Sequence, residues 1–120
     1  MLSINRLGNL GRLANQMFQY ASLKGIATNR GYSFCVPPKD AFGSQDELVS
    51  QSDVTIYDVF KNIEKNEIGF QNNQTLWERM HQFDEELFVN CPDNVDLVGF
   101  FQTEKYFKHI EDDIRKDFSF

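Results

Sequence analysis

The chain has 120 residues, 41% of them hydrophobic and 25% charged, which suits one globular domain over residues 1–120 and leaves little room for two. Its 12 Phe, 4 Tyr and single Trp can supply a core and weigh against wholesale disorder or a low-complexity polymer. The net charge of −6 argues against a role in coating nucleic acid.

No apolar run approaches the ~20 residues that a membrane-spanning helix needs. Asn5, Arg6, Gly8 and Asn9 interrupt Met1 to Leu10, which therefore lacks the basic-then-apolar plan of a secretory signal. These features predict a cytoplasmic protein with no membrane segment, at most peripheral to a membrane. The charge is unevenly spread. Residues 1–39 hold Arg6, Arg12, Lys24, Arg30 and Lys39 and no acid, while every Asp and Glu lies beyond, so an anion is expected to bind near the beginning. Cys35 and Cys91 lack the spacing of a zinc or redox site and read as buried thiols.

In chain order, Leu2-Ser3-Ile4 alternates as a first strand can. Gly8 and Gly11, with Asn5 and Asn9 among them, mark a loop in which the backbone can turn tightly or let another group approach. Leu13, Met17, Tyr20 with Ala21, and Ala27 follow at helix spacing, widened by Ala14, Phe18 and Gly25, until Gly31 ends the helix in the position that glycine favours. Tyr32, Phe34 and Val36 alternate with Ser33 and Cys35 as a second strand, closed by Pro37-Pro38. Strand, glycine turn, helix and strand outline a βαβ unit, hence an α/β fold with a mainly parallel sheet.

The stretch from Asp40 to about Leu76 reads as surface excursions with a short helix around Val54 to Ile63. Pro92-Asp93-Asn94 is a turn, and Val95 to Phe101 reads as a buried strand broken only by Asp96 and Gly99. Thr103 can then cap a helix whose Phe107, Ile110, Ile114 and Phe118 form one apolar stripe. The apolar ending Phe118-Ser119-Phe120 is read as a point where a longer polypeptide was cut.

The chemistry concentrates in Gly11-Arg12-Leu13-Ala14-Asn15-Gln16, where the glycine loop meets the first helix. Free N–H groups and the positive end of the helix dipole favour phosphate at such a junction. Arg12 adds a planar cationic fork, and Asn15, one turn on, can donate to a phosphate or sugar oxygen. The Lys-Ser/Thr of a P-loop is missing, and Gly8-x-x-Gly11 is only a fragment of a dinucleotide fingerprint. On spacing alone, a turn with a surface arginine and a capping Asn15 explains the same residues.

Residues 11–21, Gly-Arg-Leu-Ala-Asn-Gln-Met-Phe-Gln-Tyr-Ala, resemble the signature G-R-L-G-N-Q-M-F-Q-Y-A of the α-1,2-fucosyltransferase family (glycosyltransferase family 11-like). Val98-Gly99-Phe100-Phe101-Gln102-Thr103-Glu104-Lys105-Tyr106-Phe107 is similar to that family's G-[YF]-[FW]-Q-[ST]-E-K-Y-F, and Phe83-Asp84-Glu85-Glu86-Leu87 to its F-D-x-x-[LF]. Position 14 is Ala where the family has Gly, which puts a methyl group where a substrate could need close approach. The family's H-x-R-R-x-D motif, associated with the nucleotide-sugar donor, does not occur in these 120 residues.

The resemblance implies a Rossmann-like three-layer domain, the N-terminal half of a GT-B glycosyltransferase whose C-terminal donor-binding domain is missing here. It implies inverting transfer of L-fucose from GDP-fucose to the 2-hydroxyl of a galactoside, with no cofactor and no metal. Under it Arg12 is the catalytic cation at the diphosphate or the developing oxocarbenium, and Gly11, Asn15, Gln16 and Gln102 bind substrate. Protein O-fucosyltransferases carry a similar G-R-x-G-N-Q loop. His81 and the carboxylates Asp84, Glu85 and Glu86 are candidate bases, against which a surface histidine and a helix N-terminus are the plainer readings, and His109 reads as solvent-facing. The alternative is a non-catalytic nucleotide- or phosphate-binding α/β domain built on the same βαβ unit.

Overall fold

Leu2–Ser3 forms β1, and Leu13–Arg30 the long helix α1 that carries the chain to β2 at Phe34–Cys35. Then come α2 (Ile56–Val59), β3 (Thr75–Trp77), α3 (Glu85–Asn90) and β4 (Asp96–Val98). Two 3-10 turns, Glu104–Tyr106 and Lys108–Ile110, lead into α4 (Glu111–Asp117). This computed structural model describes residues 1–7, 13–37, 56–63, 72–80 and 82–119.

The four strands make one sheet in the order β2-β1-β4-β3, every pair parallel, so the fold is α/β. Leu2 pairs with Phe34, Ser3 with both Cys35 and Asp96, and Trp77 with Val98. The central strands β1 and β4 are buried throughout, as parallel strands covered on both faces are, whereas edge strand β3 leaves Thr75 and Trp77 exposed. The order reverses between β1 and β4. One neighbour in sequence lies to one side of β1 and the later strands to the other, which makes the carboxyl ends of these two strands the place where a crevice opens in such sheets.

Helix α1 is buried almost all round from Gln19 to Ala27, wider than the single stripe its periodicity predicts. It packs on β1, β2, α2, α3 and the 3-10 turns, so its polar residues need internal partners. Gln16 Oε1 accepts the Ile56 N–H at 3.0 Å, Gln19 donates to the Gly99 carbonyl at 3.3 Å, and Ser22 donates to the Phe101 carbonyl at 3.1 Å. The helix ends as expected. Gly31 takes φ +74°, its N–H reaches the Thr28 carbonyl, and the Tyr32 N–H reaches that of Ala27, the paired closure of a Schellman motif.

Three sequence expectations change. The strand expected over Val95 to Phe101 pairs only at Asp96–Val98, because Gly99 (φ +155°) and Phe101 (φ +51°) turn the chain out of the sheet. The single helix expected after Thr103 is two 3-10 turns and then α4: Thr103 Oγ1 accepts from the Lys105 N–H, but Tyr106 must swing inward, where it is fully buried. Its stripe still holds, since Ile110 and Ile114 pack on Ala21 with Phe107 and Phe118 beside them. Finally, β3 lies at the end of the stretch read as surface excursion. Asn72 Nδ2 lies 2.9–3.1 Å from the Met1 carbonyl, Ser3 Oγ and the Val95 carbonyl, and so fixes the entry to this strand. Part of the expected helix around Val54 to Ile63 exists as α2, with Val54 and Thr55 outside the described residues.

Candidate functional site

The carboxyl ends of β1, β3 and β4 surround a crevice of about 320 Å³, lined by Arg6, by Trp77 to Met80, by Val98 to Phe100 and by Gln102. It sits where the strand order reverses, the position that favours ligands in parallel sheets. Large apolar side chains gather at its rim: Trp77 is 55% exposed, Met80 60% and Phe100 42%. Arg6, three residues beyond β1, holds its guanidinium carbon 5.5 Å from the centre of the Trp77 ring, a cation–π contact.

Beneath the crevice, Asp96 is buried between β1 and β3. Its Oδ1 accepts the Asn5 N–H at 2.7 Å and the Ser3 hydroxyl at 3.3 Å, which fixes how the chain leaves β1. Burial pushes this carboxyl above its ordinary range, against the pull of those hydrogen bonds and of Arg6. Asn5 Oδ1, at the same strand end, is shielded from solvent and has no hydrogen-bond partner among the described residues.

The second wall is a polar lattice around Tyr106. The Tyr106 hydroxyl donates to Glu78 Oε2 and accepts the Asp84 N–H, both at 2.8 Å, and Glu78 Oε1 accepts the Phe101 N–H at 3.1 Å. Burial pushes the phenol far above its usual value. The Arg79 fork grips Asp84 through Nε at 3.2 Å and Nη2 at 3.1 Å, and Asp84 also accepts the Leu87 N–H at 3.1 Å as the cap of α3. With Arg79 beside it, Asp84 is held below the ordinary carboxylate range. That hydrogen bonding suits a structural anion better than a proton acceptor. Glu85 and Glu86 are exposed in the first turn of α3, as acids at a helix start commonly are, and Glu86 also meets Arg79 at 3.2 Å.

Of the residues singled out by sequence, Gly11 and Arg12 lie outside the described residues, as does His81. Asn15 and Gln102, 87 positions apart, are joined: Gln102 Nε2 donates to Asn15 Oδ1, and neither side chain makes a further hydrogen bond among the described residues. The pair thus leaves an amide donor on Asn15 and an amide acceptor on Gln102 beside the crevice. Gln16 is placed in the interior, tying α1 to α2. Ala14 is exposed, so its methyl group points away from the interior formed by the described residues. His109 is exposed, as expected, and also donates from Nε2 to the Gly25 carbonyl at 2.8 Å with its ring edgewise to Phe88.

Sequence reasoning passed over Arg6, Trp77, Glu78 and Arg79. The signal for Trp77 was the lone tryptophan in a polar stretch, an exposed aromatic without an apolar pattern to bury it. Arg6 was readable only as one of several early cations. Of the other two within the described residues, Lys24 is bound to Asp117 and Arg30 donates to the Cys91 carbonyl and the Tyr32 hydroxyl. Among the described residues no group of three or more His, Cys, Asp or Glu side chains could hold a metal, and no helix is long and apolar enough to cross a membrane.

Comparison with known protein families, curated proteins and solved structures finds nothing that matches this chain.

Proposed function

We propose that this chain is the Rossmann-like acceptor-side half of an inverting α-1,2-fucosyltransferase, acting with GDP-fucose and a galactoside. The observation that carries the reading is the convergence of the three sequence blocks on one sheet end. Asn15 and Gln19 of the first block meet Gln102 and Gly99 of the last, and Asp84 of the middle block meets Tyr106. A scaffold alone has no need to bring these polar residues beside an open crevice with exposed aromatics and an arginine.

In this reading the reaction needs charge stabilisation on the departing nucleoside diphosphate and an acceptor hydroxyl held in line behind the anomeric carbon. Arg12, immediately before α1, supplies the first, and the Asn15–Gln102 amide pair supplies a donor and an acceptor for sugar hydroxyls. Gln16 supports the start of α1 from within. Asp84 serves the architecture and is not the base that deprotonates the acceptor.

The test is saturation-transfer NMR on the whole chain with GDP, GDP-fucose and simple galactosides, repeated on Arg12→Ala. The reading expects galactoside signals in both proteins, while GDP and GDP-fucose, held mainly by the nucleotide-binding half, should show little saturation transfer in either. Loss of the galactoside signals overturns it, and binding of GDP and inorganic phosphate with no galactoside favours a phosphate-binding domain instead. In a polypeptide that also carries the nucleotide-binding half, Arg12→Ala should lower turnover about 100- to 1000-fold with the fold intact, and near-normal turnover would refute the role.

A further inference from the structure

We infer that the crevice at the carboxyl ends of β1, β3 and β4 is a binding site for a saccharide carrying an anionic group, with the sugar ring against Trp77 and the carboxylate or phosphate on Arg6. The inference deepens the transferase reading by naming a property of the acceptor, and the choice of a saccharide rests on that reading.

Three observations meet here. Arg6 makes no ion pair and no hydrogen bond among the described residues; its guanidinium carbon lies 5.5 Å from the centre of the Trp77 ring, and it acts on the buried Asp96 carboxyl only through space. A guanidinium seated on a π-face in this way keeps its fork of N–H donors available for an oxyanion, and it is already oriented by the stacking. The other cation of the crevice, Arg79, already faces two carboxylates, Asp84 and Glu86, which offset its charge, so Arg6 is the better placed to read an anion.

The indole is the second observation. Trp77 is on an edge strand, 55% exposed, with Phe100 42% exposed across the crevice, and the part of the ring that Arg6 leaves open is a flat apolar platform. Such a platform suits the C–H face of a hexose, while polar groups around it fix orientation. The third is Phe101, a bulky residue in the left-handed region at φ +51° directly behind this wall, held there by the Glu78 carboxylate on its N–H. Strain of this kind clusters where a binding surface is shaped. The volume of about 320 Å³ falls at the lower end of small-molecule sites, enough for a monosaccharide unit.

Trp77 is the single tryptophan of the chain and borders both this crevice and a neighbouring hollow with Leu76, Asn90 and Pro92, so its emission reports binding at the indole and the Arg6 variants assign the response to the crevice. The experiment titrates the whole chain with galactose, galactose 6-phosphate, galacturonate, GDP and inorganic phosphate. The proposal expects saturable changes in emission for the two anionic sugars, at concentrations about tenfold below those for galactose. Arg6→Ala and Arg6→Gln should remove that preference at unchanged thermal midpoint, and Trp77→Ala, followed by saturation-transfer NMR, should weaken both anionic sugars.

Equal affinity for galactose and its anionic forms, preference unchanged in the Arg6 variants, or an equal response to inorganic phosphate or GDP overturns it. The transferase reading has a separate readout, the turnover of Arg12→Ala in a polypeptide that also carries the nucleotide-binding half. If turnover is lost there while Trp77 stays silent, the crevice proposal falls and the transferase reading stands; if Trp77 responds and turnover stays near normal, the transferase reading falls.

Discussion

Gly25 of α1 lies against the main chain at Tyr106, so closely that a Cβ added to it would stand 2.1 Å from the Tyr106 carbonyl oxygen and 2.8 Å from the Cα of Phe107. In sequence Gly25 only widened a helical stripe, where glycine is a poor choice by propensity. Its place at the crossing explains the choice: without a side chain, the helix and the turn that carries Tyr106 can touch backbone to backbone. Gly25→Ala should therefore destabilise the protein by about 2–3 kcal/mol although alanine is the better helix former. Urea unfolding with a concurrent tryptophan and circular dichroism signal measures it, and a neutral or stabilising substitution would show that the contact can open freely.

That contact also marks how far sequence alone reached. The βαβ outline, the Gly31 stop and the buried Cys35 and Cys91 follow from local rules, since periodicity and a left-handed glycine act within a few residues. The crevice does not. Arg6 and Trp77 are 71 positions apart in a chain whose local pattern says nothing about their pairing, and β3 is three residues of an exposed edge. An edge strand buries one side at most, so it carries little apolar periodicity to detect. Asn15 and Gln102 were nameable only through the resemblance of their blocks. That they meet is a tertiary fact.

The charge map makes the same point through Lys24. It counts among the early cations that favour an anion, yet Lys24 Nζ lies 2.7 Å from Asp117 Oδ2, with both side chains about nine-tenths buried, and the Tyr20 hydroxyl donates to the same oxygen at 2.9 Å. This ion pair fastens α4 to α1. Asp117→Ala leaves a buried ammonium without its anion and should cost about 3–5 kcal/mol. Replacing both partners by apolar residues, Lys24→Met with Asp117→Leu, should recover most of that loss, because desolvation of the two charges offsets much of their attraction. A double-mutant cycle by denaturant unfolding separates the terms; equal losses in the single and the double variant would show that packing around Phe118 dominates instead.

The thiols give a kinetic test of the same interior. Cys35 and Cys91 are both fully buried, and burial raises both, Cys91 to about 11. Only the thiolate reacts, and at mildly alkaline pH about one Cys91 in a thousand is ionised. Neither should react with a disulfide reagent at the rate of a free thiol until the protein opens, whereas in denaturant both should titrate at once. Fast labelling of either in native buffer would mean that the sheet end around Cys35 or the end of α3 at Cys91 opens readily.

Asp84 and Asp96 should respond to acid in opposite senses. Asp84 is held below its ordinary value of 3.8, chiefly by the hydrogen bond from the Arg79 side chain, with the Arg79 and Leu87 N–H groups assisting against burial. A carboxyl whose folded value lies below its unfolded one contributes stability that is fully present above the unfolded value and disappears as pH falls through the folded one. Asp96 is raised above 3.8 by burial, so its ionisation weakens the folded state as pH climbs from the unfolded value through the folded one.

Asp84→Asn keeps an oxygen for the α3 cap but loses the charge, so it should cost about 2 kcal/mol near neutral pH and much less near pH ~2. Asp96→Asn retains an acceptor for Asn5 and Ser3, and its cost should be larger in acid than at neutrality. Urea midpoints of the parent and the two variants across that range decide the matter. If both variants lose less in acid, burial does not govern Asp96; if both lose more in acid, the Arg79 fork does not govern Asp84.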